Sequence, residues 1–162
     1  MMQSGFIVPG DGGRRIPLRF GGSEVTIKAA GDDTVGAATV YESRLEPHAP
    51  GPARHLHRSW TEMFYVLEGE LTFQVGDEIR QAPAGTLVFI PPETVHAFRN
   101  PTSESARILV IVVKANSRFE NPGGIDKYFE ETVALPLSMT DPAWRSLNEK
   151  WDIMVVGPPL EG

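Results

Sequence analysis

Residues 51–69 of the chain read GPARHLHRSWTEMFYVLEG, and residues 85–100 read GTLVFIPPETVHAFRN. The first segment contains His55, His57 and Glu62, and the second contains His96. The whole chain has only four histidines, and three of them lie in these two segments. Because imidazole and carboxylate groups are common metal ligands, this distribution predicts a metal site to which both segments contribute.

The spacing within the first segment predicts how its ligands meet. Side chains alternate along a strand, so His55 and His57 would project from the same face. Glu62 is an odd number of residues from His57, so an unbroken strand would point it to the other face. We therefore expect a break over residues 58–61 before a new strand begins at Glu62, with His96 reaching the ion from another strand.

Three neutral imidazoles and one carboxylate suit one divalent transition metal ion, which could be Fe, Mn, Ni, Co, Cu or Zn. The absence of thiolate ligands argues against a closed structural zinc site. The alternative interpretation is that His55 and His57 are ordinary surface histidines and that Glu62 is a solvated charge. Short motifs match by chance, but here the ligands lie inside two longer patterns of glycines, prolines and strands, which favours the metal site.

These two segments resemble the paired motifs of the cupin superfamily. The first motif, His-x-His-x4-Glu-x6-Gly, is matched from His55 to Gly69, and the second is matched by Gly85, Pro91, His96 and Asn100. Two positions depart from the family pattern: the upstream glycine is Gly51, closer to the histidines than usual, and Glu93 replaces a glycine. Both departures concern loop shape and neither removes a ligand. The resemblance covers roughly residues 35–113 and implies a double-stranded β-helix.

The remaining pattern predicts an all-β fold, closed or sandwich-like, with a short C-terminal helical extension, and the resemblance implies that the strands form a jelly-roll barrel. Short alternating segments separated by Gly and Pro turns are typical of such barrels. They predict strands over residues 16–20, 24–29, 35–45, 62–67, 71–75, 78–81, 86–90, 95–99 and 106–113. A first helix would carry Ile125, Tyr128, Phe129, Thr132 and Val133 on one face after a break over residues 122–124. A second helix would begin with Asp141 as N-cap and Pro142 at its first position, and a last strand would lie in residues 152–157.

We interpret the 162 residues as a single domain. Residues 1–34 would form an N-terminal arm and strands, residues 35–116 the barrel core with both metal motifs, and residues 117–162 the C-terminal helices and final strand. The helical tail and its closing Val-Val-Gly-Pro-Pro segment also resemble small single-domain bacterial cupins described as quercetin-dioxygenase-like.

Composition limits the partners. The net charge of −6 argues against nucleic-acid binding, and the longest apolar stretch, residues 108–113, is too short to cross a membrane. The absence of cysteine and of a signal-peptide pattern fits a cytoplasmic protein.

The turn-rich arm and a stripe with Trp144 and Trp151 would suit a homodimer, although either could pack on its own barrel. His48 is expected to be an ordinary exposed histidine.

The strand phases also predict a substrate pocket. If Glu62 points into the barrel, then Phe64 and Val66 do so too, and Phe73 and Phe98 would join them from neighbouring strands. A mostly apolar, aromatic cavity around a metal ion is typical of a small-molecule site.

We therefore predict a metal-dependent dioxygenase or related oxidoreductase that acts on a planar, apolar, phenolic or enolisable substrate. Glu62 would serve as a catalytic proton acceptor as well as a ligand. Two alternatives stay open at this point. One is a non-redox metal-dependent isomerase, lyase or hydrolase, and the other is a cupin that binds a small ligand without catalysis, because one fold hosts many functions.

Overall fold

A computed structural model describes residues 4–18, 24–115, 124–136, 138 and 141–161. The described chain forms eleven strands and two α-helices. The strands are β1 (Arg14–Pro17), β2 (Glu24–Ala29), β3 (Ala38–Leu45), β4 (Arg54–Leu56), β5 (Trp60–Glu68), β6 (Glu70–Val75), β7 (Glu78–Pro83), β8 (Leu87–Ile90), β9 (His96–Arg99), β10 (Ala106–Lys114) and β11 (Met154–Gly157). The helices are α1 (Ile125–Thr132) and α2 (Pro142–Lys150).

The strands form two antiparallel sheets that enclose the core. The six-stranded sheet has the order β1-β2-β3-β10-β5-β8, and the five-stranded sheet has the order β11-β4-β9-β6-β7. Burial alternates along the central strands β3 and β10, in which every second residue is buried, apart from the end of β10. One face of each sheet therefore packs inward, as in a sandwich, and the expected all-β jelly roll with a short helical extension is confirmed.

Two strand boundaries near the N-terminus differ from the predicted ones. The strand expected over residues 16–20 is β1, which begins at Arg14 and ends at Pro17, while residues 19 and 20 lie outside the described chain. The strand expected over residues 35–45 begins only at Ala38. A 3-10 turn over Asp32–Thr34 precedes it, and the Thr34 hydroxyl donates to the Ala38 carbonyl at 2.5 Å. This local side-chain bond holds the chain in a turn and delays the strand.

The break expected between His57 and Glu62 is present. Strand β4 belongs to the five-stranded sheet and β5 to the six-stranded sheet, so residues 57–59 carry the chain from one sheet to the other. Strand β5 begins at Trp60, two residues before the predicted start, because Trp60 already pairs with Lys114 of β10. Glu62 therefore faces the histidines from the opposite sheet.

The C-terminal helices pack within their own chain. The Asp141 side chain accepts a hydrogen bond from the Ala143 N–H at 2.9 Å, and Pro142 occupies the first turn of α2, which confirms the predicted N-cap. Trp144 and Trp151 are each 2% exposed. The predicted tryptophan stripe is thus buried in this chain, and the homodimer stays a prediction. Neither described helix has the length and hydropathy needed to span a membrane.

The described part of the N-terminal arm is tied to its own barrel. Lys28 of β2 donates hydrogen bonds to the carbonyls of Gly10 and Gly12, each at 2.8 Å. Phe6 and Ile7 remain exposed. His48 is exposed as expected.

The two positions that depart from the family motifs both have left-handed backbone. Gly51 has φ +68, and a Cβ added there would lie 1.7 Å from the Phe98 carbonyl oxygen. Glu93 has φ 64, so it adopts the conformation that glycine would adopt more easily. Its N–H donates to the His57 carbonyl at 2.6 Å. Both turns therefore have the left-handed backbone conformation that glycine favours. Gly51 lies against Phe98 of β9, and Glu93 is bonded to the backbone of His57.

Gly51→Ala should lower the free energy of unfolding far more than Gly76→Ala. Gly76 also has positive φ, at +59, but nothing lies within 4 Å of its added Cβ. Its substitution should therefore cost only the left-handed penalty of about 1 kcal/mol. Gly51→Ala must in addition displace the Phe98 backbone, and we expect a loss of about 3 kcal/mol or more. Urea unfolding of the two variants measures both values, and equal losses would contradict the close approach at Gly51.

Candidate metal centre

Both sheets contribute to the cluster of ligand residues. His55 on β4 and His96 on β9 are directly opposite each other in register. His57 follows β4 by one residue and lies in the crossing, so His55 and His96 belong to the five-stranded sheet and His57 directly follows one of its strands. Glu62 lies on β5 of the six-stranded sheet. The chain crossing at residues 57–59 is what allows one motif to supply ligands from two sheets.

The structure brings all four predicted ligand residues together. Their potential ligand atoms lie within 4.8 Å of one another. Glu62 Oε2 is 2.8 Å from His96 Nε2 and 3.5 Å from His57 Nε2. His57, Glu62 and His96 are buried, and His55 is half-buried. One side of the cluster is thus closed by protein, while His55 borders the cavity described below.

Backbone carbonyls set the orientation of all three imidazoles. In each ring, Nδ1 lies within hydrogen-bond distance of a main-chain oxygen, and the pairs are His55 with Ala53 (2.8 Å), His57 with Asp152 (2.8 Å) and His96 with Thr94 (3.0 Å). Because a carbonyl oxygen can only accept, Nδ1 must carry the proton. The neutral form of each ring therefore leaves its lone pair on Nε2, the arrangement common in metal-binding histidines.

One buried atom of the cluster lacks a hydrogen-bond partner. His57 Nε2 is fully buried and forms no hydrogen bond, because Glu62 Oε2, which faces it, lies 3.5 Å away. Such orphaned atoms are uncommon because they cost free energy. A metal ion between His57, His96 and Glu62 would use this lone pair. The nitrogen and oxygen donors fit a divalent transition metal ion, and this donor set suits Fe, Mn, Ni, Co, Cu and Zn alike.

The metal-free site holds opposite charges. Burial lowers the pKa of His57, but the Glu62 carboxylate more than offsets this, so that the pKa of His57 is raised. Burial raises the pKa of Glu62, but His57 and His96 lower it well below its usual value. Burial and the neighbouring His96 and His57 lower the pKa of His55 to about 3. Without metal, Glu62 is therefore ionised and paired with His57, while His55 stays neutral.

A cavity of about 320 Å³ opens beside His55, His57 and Glu62. Of the four residues predicted to line a pocket, Phe64 and Phe98 line this cavity. Val66 and Phe73 are not among its described lining residues, and their role in a substrate pocket stays a prediction. Both are buried in the core, where the Phe73 ring lies 5.4 Å from each of the rings of Phe64 and Phe98. Strand alternation gives the face of a residue but not its distance along the strand from the site.

Several lining residues were not predicted. They come from β3, from the two helices and from the C-terminal segment, and they include Tyr41, Ser43, Ile125, Tyr128, Phe129, Asn148, Ile153, Val155 and Pro159. The alternation of β3 could have identified Tyr41 and Ser43, because the inward residues of that strand are all buried. The helices and the C-terminal segment reach the cavity only through tertiary packing, for which the local sequence gives no signal.

Hydroxyl groups are the main neutral polar groups on the cavity wall. Burial raises the pKa of Tyr41 well above its usual value, and the Glu62 carboxylate raises it further. Tyr41 therefore stays a phenol that can donate a hydrogen bond. Tyr128, whose pKa burial also raises, donates to Asn148 Oδ1 at 3.1 Å. The described lining contains no Lys or Arg.

Comparison with known proteins agrees with this fold. Residues 41–112 match the family model described as Cupin domain. A sugar phosphate isomerase from a cupin superfamily of Silicibacter pomeroyi is similar with TM-score 0.59 and 23% identity, over 67% of this chain and 75% of that one. A Thermotoga maritima protein described as a predicted oxalate decarboxylase has TM-score 0.54 and 21% identity, over 62% and 90%. A nucleoside dehydratase has TM-score 0.54 and 19% identity, over 70% and 86%. No curated protein sequence matches the chain.

Residues 41–112 are thus similar to the cupin domain, and the fold of the chain is the double-stranded β-helix seen in cupins. The descriptions of the three similar structures name different reactions. At these identities, the likeness establishes the fold and not the reaction. The finer resemblance to quercetin-dioxygenase-like proteins stays a prediction.

His57→Ala and Glu62→Ala should each weaken metal binding by at least about 10-fold, because each removes a buried ligand. His48→Asn is the matched control, since His48 is exposed and asparagine tolerates its φ of 57. Competition with a chelator measures the affinity of each purified, folded variant. If His57→Ala and Glu62→Ala bound metal as tightly as the parent, the ligand assignment would be wrong.

Metal affinity should rise with pH until the pH passes the raised pKa of His57. Below that pKa, the metal-free ring carries a proton that the ion must displace, so affinity should increase by about 10-fold per pH unit. Above it, no proton is displaced from His57 and the dependence should flatten. Because the pKa is raised from 6.5, the slope should persist above pH 6.5. Calorimetry in buffers of different ionisation enthalpy counts the released protons, and a slope that ends below pH 6.5 would contradict the ion pair.

Proposed function

We propose that this protein is a metal-dependent dioxygenase that acts on a planar, largely apolar substrate through a phenolic or enolic oxygen. The observation that supports this most is the aromatic wall beside the histidines. The rings of Phe64, Phe98, Tyr41, Tyr128 and Phe129 all line the cavity. Flat apolar molecules bury well against such rings, and aromatic cavities with a few placed polar groups are typical of small-molecule sites.

The charge of the cavity supports an uncharged substrate with one acidic hydroxyl. Glu62 is the one carboxylate among the described lining residues, which include no Lys or Arg. A phosphorylated sugar would thus find no Lys or Arg on the described wall to bind its phosphate. A phenol or an enol needs only one ionising oxygen near the metal site, and the rest of the molecule can remain apolar.

Glu62 is suited to take the proton of that hydroxyl. Its Oε2 faces His57 and His96, whereas its Oε1 has no hydrogen-bond partner among the described residues. Oε1 can therefore accept the substrate proton while Oε2 stays with the histidines. Tyr41 lies near enough for the charge of Glu62 to raise its pKa, and its phenol can donate a hydrogen bond to the substrate oxyanion. A bound redox-active ion would supply Lewis-acid and electron-transfer chemistry.

The proposed reaction balances without a further reductant. Both atoms of O₂ enter the substrate, so that substrate plus O₂ gives one oxidised product or its fragments. The proton that Glu62 takes from the hydroxyl is returned to the product. The apolar wall would keep bulk water from the reacting atoms.

A non-redox isomerase or lyase is the second candidate. The observation that favours it is the presence of a carboxylate base, Glu62, and a phenol, Tyr41, on one cavity wall. A base and an acid on the same wall can move a proton between two positions of a substrate without O₂. In that case, the metal would only polarise a carbonyl group.

The purified protein should consume O₂ with a flavonol or a related phenol, and ¹⁸O₂ should place two labelled atoms in the product. Glu62→Gln should lower kcat/KM by at least about 100-fold, since it removes the proton acceptor. The control is Glu78→Gln, because Glu78 is exposed on β7 and remote from the cavity lining. Bound zinc without O₂ uptake would favour the non-redox enzyme, and ligand binding without metal or turnover would favour a binding protein.

A further inference from the structure

Asp152 joins the C-terminal segment to the turn that carries His57. It lies two residues after the end of α2, has φ 56 and is 6% exposed. Its carboxylate accepts four hydrogen bonds, from Arg58 N (2.9 Å), Arg58 Nε (2.8 Å), Ser59 N (2.8 Å) and Ser59 Oγ (2.7 Å). A carboxylate with four close donors is fully satisfied, so this charge holds the turn in one geometry.

The backbone of Asp152 contacts the ligand itself. Its carbonyl oxygen lies 2.8 Å from His57 Nδ1, although the two residues are 95 positions apart in sequence. One residue therefore holds three consecutive positions, 57–59, which form the crossing between the sheets. The carbonyl sets the His57 tautomer and ring direction, while the carboxylate fixes the backbone that carries the ring.

We propose that Asp152 is a positioning residue that holds His57 for metal binding, so that the C-terminal segment completes the metal site. The proposal rests on the metal site and needs no particular reaction. Groups that orient a metal ligand typically change metal affinity when they are removed, even though they do not touch the ion. Linkage then requires the reciprocal effect, in which metal binding stabilises the docked C-terminal segment.

The strand that follows Asp152 supports the same coupling independently. Strand β11 pairs with β4, and Val155 lies opposite His55. Arg54 at the start of β4 donates from Nε to the Pro158 carbonyl at 3.0 Å. Both histidines of the first motif are therefore held by residues 152–158, through the Asp152 carbonyl in one case and through strand pairing in the other.

Asp152→Gly separates the carboxylate from the backbone. Glycine adopts φ 56 without strain and keeps the carbonyl that faces His57, so only the four carboxylate contacts are lost. Asp152→Asn is the conservative variant, because asparagine also tolerates this conformation and keeps one acceptor oxygen. Asp141→Ala is the matched control: Asp141 caps α2 through a bond to Ala143 N, in the same segment but without contact to the ligand turn.

Co²⁺ is a suitable probe, since its visible absorption reports the geometry of its ligands. We expect Asp152→Gly to weaken Co²⁺ binding by about 10- to 100-fold in chelator competition and to change the absorption spectrum. Asp152→Asn should give a smaller loss. Asp141→Ala should lower stability but leave Co²⁺ affinity and spectrum unchanged. Hydrogen exchange at residues 153–157 should slow when the parent binds Co²⁺ and should respond less in Asp152→Gly.

A folded Asp152→Gly protein with the parent's Co²⁺ affinity and spectrum would overturn the proposal. If this variant does not fold, the Co²⁺ affinity of Ser59→Ala tests the proposal. This substitution removes the hydrogen bond from the Ser59 hydroxyl to Asp152 Oδ2 and leaves Asp152 in place. Unchanged affinity in Ser59→Ala would then also overturn the proposal, and a loss would support it. A parent protein that binds no Co²⁺ would instead refute the metal site itself, so the two failures are distinguishable.

Discussion

The burial of one carboxylate, Glu62, between the two sheets is the constraint on which the rest of the structure depends. An ionised carboxylate removed from water is costly unless partners compensate its charge. Glu62 comes from the six-stranded sheet, whereas His96 belongs to the five-stranded sheet and His57 lies in the crossing directly after β4. The register pairing of His55 with His96 and the crossing at residues 57–59 bring these groups together. A metal ion would satisfy both the carboxylate and the orphaned nitrogen of His57.

The same arrangement places His55, His57 and Glu62 at the edge of a largely apolar cavity. Phe64 and Phe98 belong to the strands that carry Glu62 and His96, and each lies two residues from the ligand on the same face of its strand. The helices add Tyr128 and Asn148, and the C-terminal segment both closes the wall and contacts the His57 turn. The two helices and the C-terminal segment, which lie outside the barrel, thus help to shape the site. Proteins that share one fold differ in function through such sites.

Strand alternation, motif spacing and the resemblance to cupins together predicted the barrel and the clustering of His55, His57, Glu62 and His96. Both depend on local periodicity, which the sequence displays directly. The depth of Val66 and Phe73, and the approach of Asn148 and Asp152 to the site, could not be predicted. These depend on packing between residues far apart in sequence. The repeat of apolar residues within one strand or helix carries no information on such contacts. Residue preference alone also fails to predict the left-handed turn at Glu93, because tertiary contacts override it.

Elemental analysis of the purified protein, with EPR on the same sample and no added metal, tests the metal centre most directly. We predict about one transition metal ion per chain, as expected for a single site with four ligand residues. A paramagnetic ion would also support redox chemistry, whereas zinc would favour the non-redox enzyme. A protein that carries no metal, and takes up none when Fe, Mn, Co, Ni, Cu or Zn is added, would contradict the metal centre.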